Sequence, residues 1–318
     1  MINPSRIAIG FAGLLLAMSA MAQTPGRVIR IVNPGGPGGP GDQVARLIAP
    51  LMQQQLGTPV VVEGQLGAAG NIAAMAVVNA SPDGHTLLLA PNGLLIDQVS
   101  KIKPPFDLTK DLRPVNLVAA GSMVLAVNSS QPFTTVQELI AHANSNPGKL
   151  NYAHAGGITS IFWENLKAKS GLKVVGIPYK GGGQMVTSIL ANETQLILYP
   201  ADLLLPHVNA GKLRILMNGA KTRHPLLPNV PSAEEAGVRG YEAVLWMGLF
   251  APGRTPDAVV GNIEAAASRA LKDPEVRQKL KAAGFEPGGH GSADFQQRIS
   301  SDLKSMRDLM QAANITKE

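Results

Sequence analysis

Apolar positions along this chain fall into two alternating kinds of stretch. Short β-rich runs such as VIRIV (28–32) and PVVVE (59–63) are each followed by apolar residues at helical spacing, over 42–56 and 72–80. HTLLLA (85–90) is a third run, with apolar residues on both faces of the strand it predicts. FDLTKDLRPVNLVA (106–119) reads as the chain turning toward a new segment. The rhythm then resumes, with strands expected over 123–128, 149–155, 173–179, 194–200, 212–218 and 243–252. Helices are expected over 135–146, 161–170, 185–192 and 202–211, with a helical tail at 255–273, 274–284 and 293–313. Alternation of this kind predicts α/β layers built on largely parallel sheets.

What separates the strands from the helices is unusual. A strand runs straight into a glycine-rich turn and a helix start at 35–42, 64–71, 156–160 and 180–184. Helix N-termini carry unpaired N–H groups and partial positive charge, and glycine lets an anion approach that backbone closely. One such cluster is an ordinary strand-to-helix connection; four together point to an anion-binding cleft. Gly36, Gly38 and Gly41 also match the G-x-G-x-x-G pattern, and Glu63 lies about twenty residues on, where a dinucleotide enzyme places its ribose-binding acid. A nucleotide cradle, a cradle for another anion and a plain linker are all open on these residues.

The start of the chain narrows the choice. Arg6, the apolar run IAIGFAGLLLAM (7–18) and Ala20-Met21-Ala22 form the three parts of a secretory leader, with cleavage expected near Ala22-Gln23. Export to the periplasm counts against a nicotinamide cofactor, which is a cytoplasmic commodity. With 22 residues removed from 318, the remaining 296 suffice for two α/β domains. The formal charge of +6 falls to +5 on losing Arg6 and is spread thinly, which suits an anionic ligand. Aromatics make up 4% and do not interleave with basic clusters, so no nucleic-acid surface is expected. There is no Cys, hence neither disulfide nor thiol chemistry.

Catalytic and metal motifs are missing. H-E-x-x-H, the Walker A pattern and G-x-S-x-G are absent, and the six histidines show no i, i+4 pair. Tyr179-Lys180 lacks the spacing of a reductase pair, and Trp163 and Trp246 read as core or cleft-wall aromatics. His154, beside the third glycine loop, is either structural or a ligand contact. No enzyme activity, cofactor or metal is expected.

At this point the residues carry a family resemblance. Seven motifs in fixed order span essentially the whole mature chain: IRIVNPGGPGGPGDQVARLIA (29–49), LGTPVVVEGQLGAAGNIAAMAV (56–77), SPDGHTLLLAPNG (81–93), IPYKGGGQ (177–184), LPHVNAGKLRIL (205–216), LPNVPSAEEAGVRGYEAVLWMGLFAPGRTP (227–256) and the helical tail. The chain resembles the solute-binding receptors of tripartite tricarboxylate transporters, also called Bug receptors. That resemblance implies a type II periplasmic-binding fold, with two α/β domains and a carboxylate held in the cleft between them. In the family the first loop reads roughly Pro-Phe-Pro-x-Gly-Gly-x-x-Asp; Pro34, Gly38, Gly39 and Asp42 keep their places and Gly35 replaces the Phe. Leu66-Gly67-Ala68-Ala69-Gly70-Asn71 stands for Pro-Gly-Ala-Gly-Gly-Asn. The third loop, Tyr152 to Ser160, departs furthest, with Phe162 where His is common, and Leu198-Tyr199-Pro200 replaces Phe-Asp-Asn.

The expectations that follow are specific. Domain one holds 23–122 and 246–318, and domain two 123–245. Gly36, Gly38 and Gly39 offer backbone N–H groups to a carboxylate, with Gly70 and Asn71 facing them. Asn92 and Asp202 are polar selectors; Gly156, Thr159 and Ser160 bind from domain two, with His154 and Tyr199 shaping the distal pocket. Asp42 either caps its helix or meets a ligand ammonium. The altered loops suit a small organic acid with an aromatic, apolar or amino-acid-like body better than a citrate. The receptor is expected to be a monomer that closes on its ligand and docks on the transporter's membrane permease subunits. The rivals are an exported NAD- or FAD-dependent oxidoreductase and a ligand sensor for a membrane kinase.

Overall fold

The structure is a computed structural model that describes residues 28–100, 103–224 and 226–312. The expected leader over 1–22 lies outside them. The first third of the chain reads β1 (Ile29–Asn33), α1 (Pro40–Leu56), β2 (Val60–Gly64), a single 3-10 turn (Ala68–Gly70), α2 (Asn71–Val78), β3 (Thr86–Pro91), α3 (Leu94–Val99) and α4 (Leu108–Asp111). Then come β4 (Leu112–Asn128), α5 (Val136–Ser145), β5 (Asn151–His154), α6 (Gly157–Ser170), β6 (Val175–Pro178), α7 (Gly182–Leu190), β7 (Leu196–Pro200), α8 (Ala201–Asn209) and β8 (Leu213–Asn218). The chain closes with β9 (Val244–Pro252), α9 (Asp257–Lys272), α10 (Pro274–Ala282), β10 (Glu286–Gly291) and α11 (Ser292–Ala312).

One hydrogen-bonded path joins the strands in the order β2-β1-β3-β9-β4-β7-β5-β6, with β8 and β10 also paired to β4. β1, β2 and β3 are mutually parallel, as are β5, β6 and β7. β4 is shared. Leu112–Ser122 pairs with β9, whereas Met123–Val127 pairs with β7, so its partners change between Ser122 and Met123. Both halves carry apolar clusters on both faces. In β3, Leu87 and Leu89 enter one cluster and Leu88 and Ala90 the other, which is why the strand reads as a continuous apolar run. Val124 and Ala126 of β4 alternate in the same way with Met123, Leu125 and Val127.

α1 shows how the helices attach. Val44, Ala45, Ile48, Ala49 and Met52 are buried at helical spacing against the first sheet. Gly57 then stops the helix in the left-handed region, at φ 63°, with its N–H on the Gln53 carbonyl.

Several elements differ from the sequence reading, and so does the sheet polarity. β4 runs antiparallel to β7, β8, β9 and β10, and β3 antiparallel to β9, so the sheets are mixed and not largely parallel. Residues 112–119 are not a turn but the first half of β4, whose alternation is broken by register shifts at Pro114/Asn116 and Leu117/Ala119. β10, with the sequence EPGGHG, is a strand because Gly288 lies directly against the Leu117 carbonyl, where any side chain would collide. Short α3 follows β3 where no helix was expected.

The register also fixes what faces what. Pro91, at the end of β3, pairs with Met247, and Pro200, at the end of β7, pairs with Met123. The carboxyl ends of the two parallel sets thus approach the β4 switch from opposite sides. Every glycine loop sits on one of these two edges.

Candidate functional site

The first loop is held from within. Asn33 Oδ1 accepts from Gly35 N–H at 2.9 Å, and Asn33 Nδ2 donates to the Glu63 carbonyl at 3.3 Å. Gly38, at φ +77°, donates its N–H to Asp42 Oδ2 at 2.9 Å, and Gly39 N–H goes to the Gly36 carbonyl at 3.1 Å. Of the three glycines expected to offer N–H groups, two are therefore engaged inside the loop, because the chain must turn tightly before α1. Asp42 Oδ2 also accepts from Arg46 Nε at 2.8 Å. Arg46 and the Gly38 N–H hold the Asp42 carboxyl below its usual range. The carboxylate faces its own loop, tying Gly38 to the first turn of α1.

The second loop is strained. Gly67, Ala68, Ala69 and Gly70 all have positive φ, and the two alanines lie at +47° and +54°. A left-handed alanine costs about 1–2 kcal/mol, and such strain concentrates at binding sites. Loops one and two touch: a Cβ on Gly70 would lie 3.1 Å from Pro34 Cβ, and one on Gly36 would lie 3.6 Å from Leu66 Cδ2. Asn71 Nδ2 donates to Asp97 Oδ2 at 2.7 Å, while Asn71 Oδ1 is buried without a partner.

Asn92 does different work from that expected. Its side chain is buried, donating to the Val244 carbonyl at 2.9 Å and accepting from Trp246 N–H at 3.4 Å. It clamps the end of β3 to the start of β9 instead of selecting a ligand. Residues some 150 positions away determine this role.

His154, Gly156, Thr159 and Ser160 come together. α6 begins at Gly157, so Thr159 and Ser160 belong to its first turn. Thr159 Oγ1 donates to the Gly156 carbonyl at 2.8 Å and accepts from Ala155 N–H at 3.3 Å. His154 Nδ1 accepts from Gly156 N–H at 3.2 Å and lies 2.9 Å from Ser160 Oγ. Because a backbone N–H points at Nδ1, that nitrogen is bare, Ser160 donates its hydroxyl proton, and the ring proton is on Nε2. Burial lowers the His154 pKa, with Glu164 partly opposing it. The imidazole is thus a neutral donor. Beneath it Tyr152 stacks on Trp163 at 4.2 Å and bonds Glu164 at 3.1 Å.

Tyr199 reaches the fourth loop. Its hydroxyl lies so close to Gly182 that a Cβ there would overlap it, so any side chain at that position would displace the phenol. Tyr179 N–H bonds the His154 carbonyl at 2.9 Å, joining loops three and four. Asp202 sits in the first turn of α8, and its side chain lies outside the described residues.

Six helices start at these edges: α1, α2, α3, α6, α7 and α8. Their N-cap residues are Gly39, Gly70, Gly93, Gly156, Gly181 and Pro200, and none provides a side-chain cap. Each start carries the partial positive charge of a helix N-terminus at the carboxyl end of a parallel strand, a feature that suits an anion.

A cavity of about 540 Å³ lies elsewhere, between α6, the 240–244 segment and α11, and shares only Asn92 with the expected site. Its buried charges are already satisfied. Arg298 pairs with Glu242 at 2.9 Å and Asp302 at 3.0 Å, and Trp246 Nε1 donates to Asp302 at 2.7 Å. This cluster, invisible in sequence because its members are up to 60 residues apart, ties α11 to the start of β9. The dinucleotide reading loses its acid in a similar way. Glu63 forms two bonds to Arg30 on the adjacent strand, at 2.8 and 2.6 Å. Among the described residues no three metal-ligating side chains cluster, and no helix is long and apolar enough to cross a membrane.

Comparisons with known proteins bear on the family and the fold. The family model "Tripartite tricarboxylate transporter family receptor" matches residues 44–315. A curated relative, the "UPF0065 protein in tcbD-tcbE intergenic region" of Pseudomonas sp. (strain P51), is 34% identical over 316 residues, covering 97% of this chain and 94% of the relative. Two solved structures from Rhodopseudomonas palustris are also similar. Rpa4515 with adipate is 29% identical with TM-score 0.77, covering 92% of this chain and 99% of that one. MatC (Rpa3494) with bound malate is 30% identical with TM-score 0.74, covering 90% and 99%. The structure of periplasmic binding protein BugD is likewise similar, 27% identical with TM-score 0.75, covering 92% of this chain and 100% of that one, and the fold described above is that of these structures. The match across most of its length places this chain in the tripartite tricarboxylate transporter receptor family.

Proposed function

We propose that this protein is a periplasmic receptor that traps a small carboxylate between its two domains and delivers it to the permease subunits of a tripartite tricarboxylate-type transporter. The observation that carries the reading is the set of six helix starts, none capped by a side chain, on two facing sheet edges. Relatives that hold adipate and malate support the ligand class. In this reading domain one comprises 23–122 and 246–318 and domain two 123–245, and the change of β4 partners after Ser122 supports the hinge. Closure about that hinge buries the ligand and presents the closed form of a monomer to the permease. Within the cleft, Gly36 and the helix starts at Gly39, Gly70, Gly156 and Gly181 contact the carboxylate, and His154 Nε2, Asn71 and Tyr199 complete the pocket.

Thermal unfolding against a panel of carboxylates, with NAD and FAD included, tests the reading. A ligand at 100 times its Kd adds about 2.7 kcal/mol of stability. A rise in midpoint with a carboxylate and none with the dinucleotides is the expected result. Stabilisation by a dinucleotide alone would replace the carboxylate cradle with a nucleotide cradle.

A further inference from the structure

The cleft has a second feature, independent of its backbone donors. The four most exposed large apolar side chains among the described residues are Leu66 at 65%, Leu226 at 52%, Leu203 at 51% and Ile72 at 50%. Three of these four stand near the carboxyl ends of the parallel strands. Leu66 lies in the loop after β2, in van der Waals range of Gly36. Ile72 is the second residue of α2, with its Cδ1 lying over Gly67. Leu203 is the third residue of α8, on the opposite edge, just past Tyr199-Pro200. Single exposed leucines need no explanation, but three beside the uncapped helix starts do. The loops around them supply almost no charge: Lys180 is the lone Lys or Arg across 34–41, 64–71, 155–160 and 180–184. Asp42, the acid that could meet a ligand ammonium, is occupied by Gly38 N–H and Arg46.

We infer that the ligand is a carboxylate on an unsubstituted hydrocarbon body, and that Leu66, Ile72 and Leu203 are the side chains that close over that body. The inference rests on the carboxylate-receptor reading and sharpens it. Helix starts hold the charged end, and the apolar lips take the rest out of water on closure. A hydroxyl or ammonium on the part of the body that lies against Leu66, Ile72 and Leu203 would be buried there without a partner, which weakens binding. Hydroxylated acids and amino acids are thereby disfavoured relative to plain fatty, aromatic or α,ω-dicarboxylic acids of similar length.

Calorimetric titration of the purified protein separates the possibilities. The probes are butyrate, hexanoate, octanoate, benzoate and adipate, with malate, citrate and aspartate as polar comparators. Affinity is expected to rise about fourfold per buried methylene, from roughly 0.8 kcal/mol each. Leu66→Ser and Leu203→Ser should flatten that rise while leaving the circular dichroism spectrum unchanged. Tighter binding of malate, citrate or aspartate than of hexanoate and adipate would overturn the inference and leave the carboxylate reading standing. An unaltered chain-length dependence in both serine variants would remove these side chains from the pocket. No response to any carboxylate would sink the receptor reading and this inference with it.

Discussion

Two sets of helix starts in this molecule solve the same problem in opposite ways. α4, α5 and α10 begin away from the cleft edges, and each is capped by a side chain: Asp107, Thr135 and Asp273 accept from first-turn N–H groups. α5 even has the reciprocal capping box, with Glu138 reaching back to Thr135 N–H. α1, α2, α3, α6, α7 and α8 follow the parallel strands, and each starts on a glycine or proline without a side-chain cap. The two acids printed by sequence into the first turns of α1 and α3 are turned to other partners, Asp42 to Gly38 and Arg46, and Asp97 to Asn71. α9 uses a third device, a proline cap followed by Asp257. At α4, α5 and α10 the sequence provides an acceptor. At the six starts on the sheet edges it provides none, and in the proposed reading the ligand supplies it.

Placing a cap where the molecule omits one is the strongest way to break this contrast. Gly181 has extended backbone, and a Cβ there meets nothing within 4 Å. Gly181→Asp should therefore fold normally, gain a few tenths of a kcal/mol from capping α7, and lower carboxylate affinity tenfold or more, as read by calorimetry. Gly182→Ala is the next largest: its methyl group displaces the Tyr199 ring, and affinity should fall several-fold with the fold intact by circular dichroism. On the other side of the comparison, Thr135→Ala should cost about 1 kcal/mol in urea denaturation and leave ligand affinity unchanged. A loss of affinity in Thr135→Ala would show that capping acts only through global stability.

Smaller effects sharpen the picture of the loops. Ala69→Gly removes a left-handed alanine at +54° and should raise stability by about 0.5–1 kcal/mol, seen as a shift in denaturation midpoint. His154 provides the pH dependence. Its folded pKa is depressed, so its contribution is fully present above the ordinary histidine value near 6.5 and declines as pH falls below it. Protonating Nδ1 also breaks the bond from Gly156 N–H and turns the Ser160 hydroxyl from donor to acceptor. The melting midpoint should fall from pH 7 to pH 5, and His154→Gln should remove part of that slope.

Much of this arrangement can be read from the residues in order. Apolar runs such as VIRIV and HTLLLA locate the buried parallel strands, and the glycine clusters after them mark the helix starts, because both are local signals. What sequence could not show depends on distant partners. The first half of β4 is hidden by its register shifts, and β10 is a strand only because Leu117 leaves room for a glycine. Asn92 looks like a free polar group until Val244 and Trp246 arrive beside it. Gly38 and Gly39 look like donors for a ligand until Asp42 and Gly36 accept from them. Glu63 looks like a ribose acid until Arg30 folds against it. In each case residue type suggested a chemistry, and tertiary pairing decided whether it was available.

The central claim is that the uncapped helix starts hold the ligand's charge. The most direct measurement is an amide NMR titration of the isotope-labelled protein with hexanoate and adipate. The account predicts large shifts at the N–H groups opening α1, α2, α6 and α7, including Gly157, Gly182 and Gly183, and none at the α5 start around Val136 and Glu138. Shifts confined to the cavity beside Arg298, or spread equally over capped and uncapped starts, would contradict it.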